Sequence, residues 1–521
     1  MKQKSYASDY EPVRRVRRAH SAWWDEAEQQ QRKQRDVTTL DAEEVWPARG
    51  ASADASAASQ RTNGVEATAE SVESVPTGPK ASGATRPEKW IEKRGHALGY
   101  AGLFLYTIAL YFRPYEWHPS LYGLINLSFW FALFTLAVFV PTQLALENRL
   151  TVRTREVNCV LLLCVLALVS MVPPIDRAVA WSYFSDVFAK IVIMFIVMVN
   201  VARTEWRLKG LMLLALVAGC VTSWIAIVDY RTGNFGFEGY RVGTLNHGMF
   251  SNPDDVGLHL VMMIPITIAL MLSSRSLLKK LIYGAATLLM TAGTIFTFSR
   301  GAFLGLLGAV VVLGWKFGRR NKLVFFALFF LFLVVFLIFA PGHYATRLLS
   351  IFDHSLDPVG SASARQALLL RSTYIMLRHP LLGVGFNNFP IYSLQGKLSH
   401  NSYTQVGAEL GIPALVVYVT LMVSSLKHLG RIERETYQTR RDSQFYGLAI
   451  GLQASMVAYI ITSFFISVAF GWNVYYLVGY AICLRRLYET QKPPVVAPAK
   501  QRSMAADAVN ENEGLAVRNP L

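Results

Sequence analysis

The sequence predicts an all-α, polytopic membrane protein with about 12 transmembrane helices, and three observations lead there. Of its 521 residues, 53% are apolar and 17% charged, where a soluble globular chain carries about 25% charged residues. The apolar residues come in long blocks of the roughly 17–25 residues that cross a bilayer as helix, without the period-two alternation of a β-barrel. Lys and Arg cluster in alternate connections between those blocks. An ordinary soluble enzyme is excluded, and no nucleic-acid partner is expected despite the net charge of +16.

The chain opens on a polar segment. Residues 1–97 hold 16 Lys/Arg and 15 Asp/Glu and are rich in Ala, Ser, Glu, Gln and Gly. Such a composition cannot bury enough apolar surface to offset chain entropy. Residues 1–95 are therefore expected to be a disordered cytoplasmic tail, with Trp23-Trp24 its only apolar feature of note, and no early stretch resembles a signal peptide. Residues 96–485 form the expected membrane domain, with a periplasmic loop at 341–403, and residues 486–521 a second disordered cytoplasmic tail.

Twelve apolar blocks follow, at about 96–112, 121–141, 157–173, 186–202, 210–228, 256–273, 281–297, 302–315, 323–340, 404–425, 446–465 and 470–484. The fourth is the weakest, because Asp186 and Lys190 interrupt its start. The stretch 281–315 carries one charge, Arg300. As a single helix it would run roughly 50 Å, too long for a ~30 Å hydrocarbon core. Lys279-Lys280 precede it and Lys316, Arg319 and Arg320 follow it, so both flanks belong to the cytoplasm. It is read as a hairpin with Ser299-Arg300-Gly301 at its tip on the far side.

The alternation extends along the chain. Connections 147–156, 203–209, 274–280, 316–322 and 426–443 carry 3, 3, 3, 4 and 5 Lys/Arg and are assigned to the cytoplasm, as are both termini. The far side receives the loops 174–185, 229–255 and 341–403. Cys159, Cys164, Cys220 and Cys483 all fall inside apolar blocks, without metal-ligand spacing, and read as small buried residues.

Exported loops need no positive charge for topology, so their cations need another account. They are Arg231, Arg241, Arg300, Arg347, Arg365, Arg371, Arg378 and Lys397, against the acids Asp229, Glu238, Asp254, Asp255, Asp353 and Asp357. Guanidinium forks match phosphate and pyrophosphate oxygens in charge and geometry. A set of them at the outer membrane boundary fits a lipid-linked phosphate substrate; headgroup anchoring and loop salt bridges are the ordinary alternatives. Arg300, at a hairpin tip, fits those alternatives least.

Within the last loop, the serine-rich start at Ser361 predicts a helix to about His379, stopped by Pro380. Arg371 and Arg378 share one face of it, and Arg365 lies about 120° away. A glycine-hinged loop, Gly383-Val-Gly-Phe-Asn-Asn-Phe389, comes next, and then Ser399-His400-Asn-Ser-Tyr403 leads straight into the tenth block. His400 re-enters the membrane beside the arginines, where a neutral imidazole can take a proton from a hydroxyl and neighbouring cations favour that neutral form. A capping or interfacial histidine is the competing account, and it applies more strongly to His247 and His343. Asp254-Asp255 sit in a Ser-Asn-Pro turn with no obvious third ligand, so no metal and no cofactor is expected.

At this point the residues resemble the O-antigen ligase and polymerase superfamily. The motifs are Phe298-Ser-Arg-Gly-Ala302, Arg378-His-Pro-Leu-Leu-Gly-Val-Gly-Phe386, and His400-Asn-Ser-Tyr with Glu409-Leu-Gly-Ile412. The segment Arg241-Val-Gly with Phe250-Ser-Asn-Pro-Asp254 is similar to a further family motif, with Asp254 where the family often has Asn. The resemblance covers about 98–485, most closely 240–415. It implies a GT-C-like, metal-independent, inverting glycosyltransferase of the bacterial inner membrane with a periplasmic active site. The donor would be an undecaprenyl-pyrophosphate glycan and the acceptor lipid A–core, another glycan repeat or a protein. It further implies functional roles for Arg300, Arg365 and His400, the expected catalytic residues; the placement of the exported arginines adds Arg241 or Arg371 to Arg300 and Arg365 as expected pyrophosphate-binding residues. The ligase is the preferred branch and the polymerase the runner-up. Phe112-Arg-Pro-Tyr-Glu-Trp-His118 loosely resembles an exopolysaccharide-associated branch. A polysaccharide transporter or flippase is the non-enzymatic rival, disfavoured because the blocks hold almost no central ionisable residues.

Overall fold

The structure is a computed structural model, and it describes residues 96–113, 120–121, 126–172, 176–235, 241–242, 250, 252–318, 322–339, 344, 361–393, 396–439 and 444–491. The expected tail 1–95, the rest of the second tail from 492 on, the Pro114–His118 motif, and His247, His343, Arg347, Glu238, Asp353 and Asp357 lie outside these residues.

Among the described residues the protein is all-helical, and the described part of each apolar block is mostly helix. The first six are α1 (Ala97–Phe112), α2 (Leu127–Glu147), α3 (Arg155–Ser170), α4 (Arg177–Val201), α5 (Glu205–Thr232) and α6 (Pro253–Ser273). Then come α7 (Leu277–Phe296), α8 (Arg300–Phe317), α9 (Lys322–Phe339) and the loop helix α10 (Ser361–Arg378). The chain closes with α11 (Ser402–Leu410), α12 (Ile412–Glu435), α13 (Gln444–Thr462) and α14 (Trp472–Gln491). Seven of them, α2, α4, α5, α6, α8, α12 and α13, are long and apolar enough to cross a membrane.

Several boundaries differ from those expected. The exported loop 174–185 is mostly helix: Asp176 accepts from the Val179 N–H at 3.0 Å and starts α4 early. Asp186 and Lys190 do not interrupt α4, since they pair at 3.6 Å along its exposed side, near a π-turn at Phe184–Phe188. The tenth block is two helices, broken at Gly411, whose φ of 88° ends α11. The last helix runs on to Gln491 instead of stopping near 485.

Packing sorts the helices into centre and periphery. The apolar windows of α6 and α13 are each 83% buried, that of α2 only 17%. Phe129, Trp130, Leu133 and Phe134 of α2 thus face outward, as lipid-facing side chains must where no water competes. Small and hydroxyl residues bring the central helices close. Ser455 of α13 donates to the Met262 carbonyl of α6 at 2.6 Å, and Thr462 to the Gly301 carbonyl of α8 at 3.2 Å.

The basic connections gather at one end of the bundle. Arg203 pairs with Glu147, Lys316 with Glu433, and Arg485 approaches Glu156 at 3.8 Å. This is the grouping that the charge pattern assigned to one side of the membrane. The hairpin of α7 and α8 turns at the other end, with Thr297–Ser299 between the helices.

At that other end the glycine loop after α10 is clamped onto α11. Val384 and Gly385 N–H groups donate to the carbonyls of Ala408 and Glu409 at 2.9 and 3.1 Å, and Ile412 N–H to Pro380 at 2.7 Å. The clamp requires glycine at two points. Gly383 has φ 65°, and a Cβ there would lie 2.3 Å from the Glu409 carbonyl carbon; Gly411 has φ 88°, with Leu381 oxygen 2.4 Å from the same position. Gly396 also has positive φ (65°) but faces nothing within 4 Å. Gly383→Ala and Gly411→Ala should each lower thermal stability well beyond Gly396→Ala, which carries only the left-handed backbone cost of about 1 kcal/mol. Equal melting losses for the three variants in detergent would contradict the clamp.

Candidate active site

The site begins at the N-terminus of α6. Asn252 caps it, accepting from the Asp254 N–H at 2.9 Å, and Pro253 occupies the first turn, where its missing N–H costs nothing. The Asn-Pro-Asp motif is thus a helix start, and it presents a carboxylate where the helix dipole favours one.

Asp254 is buried, and each of its oxygens takes one arginine. Arg241 Nη2 donates to Oδ1 at 2.7 Å, and Arg365 Nη2, arriving from the loop helix α10, donates to Oδ2 at 2.8 Å. Arg241 also donates through Nε to the Thr297 carbonyl at 3.2 Å. The Ser299 hydroxyl bonds Asp254 while its oxygen caps α8 at the Ala302 N–H, 3.3 Å away. One carboxylate thereby ties the α6 start, the 241 segment, the hairpin tip and the loop helix together.

Arg300 is the first residue of α8 and is buried, with 7% of its surface exposed. A cation at a helix N-terminus opposes the helix dipole. Beside the amide groups of the same turn, it makes that end suited to an anion. Phe298 before it holds φ 52° and is locked by ring packing against Tyr230 and Tyr344, with centroids 6.0 and 5.4 Å away. The Phe-Ser-Arg-Gly motif therefore combines an aromatic anchor, a cap and a charge.

His400 also sits in the left-handed region, with φ 51°. Its neighbours hold it there. Ser399 Oγ meets Ser467 Oγ at 3.0 Å, Asn401 Nδ2 donates to the Phe464 carbonyl at 3.0 Å, and Ser402 Oγ donates to the Ile466 carbonyl at 2.7 Å. Asn401 in turn caps α11 through the Tyr403 and Thr404 N–H groups. Non-glycine residues held in this conformation by over-determined surroundings cluster at functional sites. Burial, then the Arg365 charge, pushes the half-buried His400 imidazole down to about 4, with Asp254 partly opposing and Lys397 assisting. It is neutral near pH 7.

The structure joins Arg241 and Arg365 on Asp254, sets His400 within the field of Arg365 and Asp254, and places Arg300 next in the chain to Ser299, which bonds Asp254. It does not bring Arg371 there: its Nε donates to the Tyr392 carbonyl at 3.1 Å and its guanidinium lies over the Tyr374 ring, 5.8 Å from the centroid. Of the arginines on Asp254, Arg365 is the accessible one, with 22% of its side chain exposed against 4% for Arg241. Among the described residues no group of three His, Cys, Asp or Glu side chains is placed to hold a metal ion.

Residues 285–419 match the O-antigen ligase family. No curated protein matches the chain. The family match spans Arg300, Arg365, His400 and the glycine clamp, and leaves Arg241 and Asp254 outside. It agrees with the resemblance carried by the motifs and supports glycan transfer in cell-surface polysaccharide biosynthesis as the class of function.

Sequence reasoning missed two members of this constellation. In the sequence Asp254 stands only as one of an acidic pair and as the Asp of a motif that often has Asn there; Arg241 and Arg365, 13 and 111 residues away, give no sign that they share its carboxylate. In the sequence Glu409 stands only as part of the Glu-Leu-Gly-Ile motif. It is fully buried and accepts from the Asn387 N–H at 3.1 Å and from the Phe389 N–H. It lies in α11, too short at nine residues to cross a bilayer.

Burial pushes the Glu409 carboxyl up to about 8. The folded state therefore holds its proton more tightly than the unfolded chain, whose carboxyl titrates near 4.5. Stability is present below the lower value and is lost as pH rises through the window between them. Glu409→Gln, which cannot ionise and keeps an accepting oxygen, should gain in melting temperature relative to wild type on going from about pH 5 to about pH 8. A pH-independent difference between the two proteins would refute a neutral Glu409.

Proposed function

We propose that this protein transfers a glycan from an undecaprenyl-pyrophosphate donor to an acceptor hydroxyl at the periplasmic face of the bacterial inner membrane. One observation carries the reading: the arginine cluster built on Asp254 has a neutral histidine within its field. Arg241, Arg300 and Arg365 set against Asp254 leave a formal excess of positive charge, suited to a diphosphate.

In this scheme the exposed edge of Arg365 and the α8 terminus at Arg300 hold the pyrophosphate oxygens, and Arg241 holds Asp254 and so positions Arg365. His400 takes the proton from the acceptor hydroxyl as its oxygen forms a bond to the anomeric carbon. The bond from that carbon to the pyrophosphate oxygen breaks, and the lipid pyrophosphate leaves with the electron pair. The arginines offset the charge that develops on it, the role preorganised donors play in other transfer reactions. Attack opposite the leaving group inverts the anomeric centre. The scheme calls for no cofactor. Arg371 is left out of it because its guanidinium is engaged at Tyr392.

The test is transfer of labelled glycan from a purified undecaprenyl-pyrophosphate donor, with lipid A–core and excess donor as competing acceptors. His400→Ala and Arg300→Ala should each lower the rate on the order of a hundredfold or more, and Arg371→Ala should stay within about tenfold of wild type. Product on lipid A–core identifies a ligase, and lengthened lipid-linked chains a polymerase. Labelled donor crossing a vesicle membrane without product would overturn the proposal.

The pH dependence follows from His400. The base is neutral above about pH 4 and is lost only as pH falls through that value. The rate at low substrate, kcat/KM, reports the free enzyme. It should hold from about pH 7 down to about pH 5. An acidic limb near the ordinary histidine value of about 6.5 would count against His400 as the buried base.

A further inference from the structure

At the end of the bundle opposite the candidate site lies a cavity of about 500 Å³ that the transfer scheme does not use. It is lined by Lys316 near the end of α8, by Val423, Leu426, Lys427, Gly430, Glu433 and Arg434 of α12, and by Gln453 of α13. Its size falls in the range of small-ligand sites. Arg300 and Lys316 lie at opposite ends of α8, roughly 24 Å apart at helical rise.

We infer that this cavity binds the phosphate headgroup of an anionic phospholipid. Val423, Lys427, Gly430 and Arg434 recur at helical spacing, so one stripe of α12 supplies an apolar end, a gap and two cations. Three cationic side chains face a single carboxylate, Glu433, which is buried and engaged by Lys316 and by Gln453 Nε2 at 3.0 Å. Lys427 and Arg434 are exposed, so their charges remain directed to the rim. Gly430 leaves room at the centre: a Cβ there would meet Gln453 Oε1 only at 3.6 Å, an ordinary contact. Val423, 41% exposed, and Leu426 offer a place for the start of an acyl chain. Trp315, 69% exposed beside Lys316, belongs to the residue type that sits at the membrane–water boundary. A basic pocket between helices at the basic end of a membrane bundle is the setting in which anionic headgroups are recognised.

The test uses the full-length protein in neutral detergent and follows its melting temperature during titration with phosphatidylglycerol, phosphatidylcholine or inorganic phosphate. Phosphatidylglycerol should raise the melting temperature, and the other two should not at matched concentration. In Lys427→Ala/Arg434→Ala the half-maximal lipid concentration should rise about thirtyfold, as expected for two cationic contacts near a headgroup. Gly430→Leu, which puts a bulky side chain into the gap between the two cations and leaves every charge in place, should abolish the response. No response in wild type overturns the inference, as does equal protection by inorganic phosphate, which would make it a free-anion site. An unshifted half-maximal concentration in the double variant, or a response retained in Gly430→Leu, overturns it too. The readout does not involve glycan transfer, so its outcome is independent of the proposed activity.

Discussion

The geometry of the candidate site depends on one buried carboxylate. Asp254 is bonded by Arg241 on one oxygen and Arg365 on the other. A buried ion cluster of this kind contributes little net stability, because desolvation offsets most of the Coulombic gain, yet it is severely disrupted when one member is removed. What it provides is registry. Arg365 belongs to a loop helix with few buried residues of its own, and Asp254 belongs to α6, which with α13 is the most buried of the helices long enough to span. The pairing fixes a sparsely buried element to a deeply buried one.

A second constraint fixes the histidine. The segment Ser399–Ser402 is pinned to the turn between α13 and α14, and the glycine clamp holds the far end of α11. His400 lies within the first of these attachments, in the left-handed backbone region. The apolar motif residues around it are thus structural: Gly383 and Gly411 allow backbone to meet backbone, and Phe386 packs on Phe470 at 4.6 Å. The polar motif residues Arg300 and His400 are what this framework presents. Burial of His400 near Arg365 keeps its imidazole neutral, and an arriving diphosphate would draw its proton affinity upward, toward the range useful to a base.

Much of this was legible in the sequence, because bilayer thickness and charge asymmetry act on every residue of a block. The hairpin at Arg300, the loop helix from Ser361 and the grouping of basic connections follow from length, caps and charge counts alone. The boundaries that moved are those where a local device outweighs composition: the Asp176 cap that starts α4 early, and Gly411, which breaks an apolar run without changing its hydropathy. The partners of the arginines were not legible. Arg371 and Arg365 look alike in sequence, and only tertiary packing sends one to the Tyr392 carbonyl and the other to Asp254. Likewise Ser463–Ser467 carries no charge, yet it supplies the acceptors that hold His400 in place.

The central claim is that Asp254 and Arg365 act as one unit across the loop and the bundle. A double-mutant cycle on thermal stability, with Asp254→Asn, Arg365→Gln and the pair, measures that coupling directly. The account predicts a coupling energy of about 1 kcal/mol or more, with the second substitution costing little once the first is made. Additive losses, within about 0.5 kcal/mol, would show that the two side chains act independently and would contradict it.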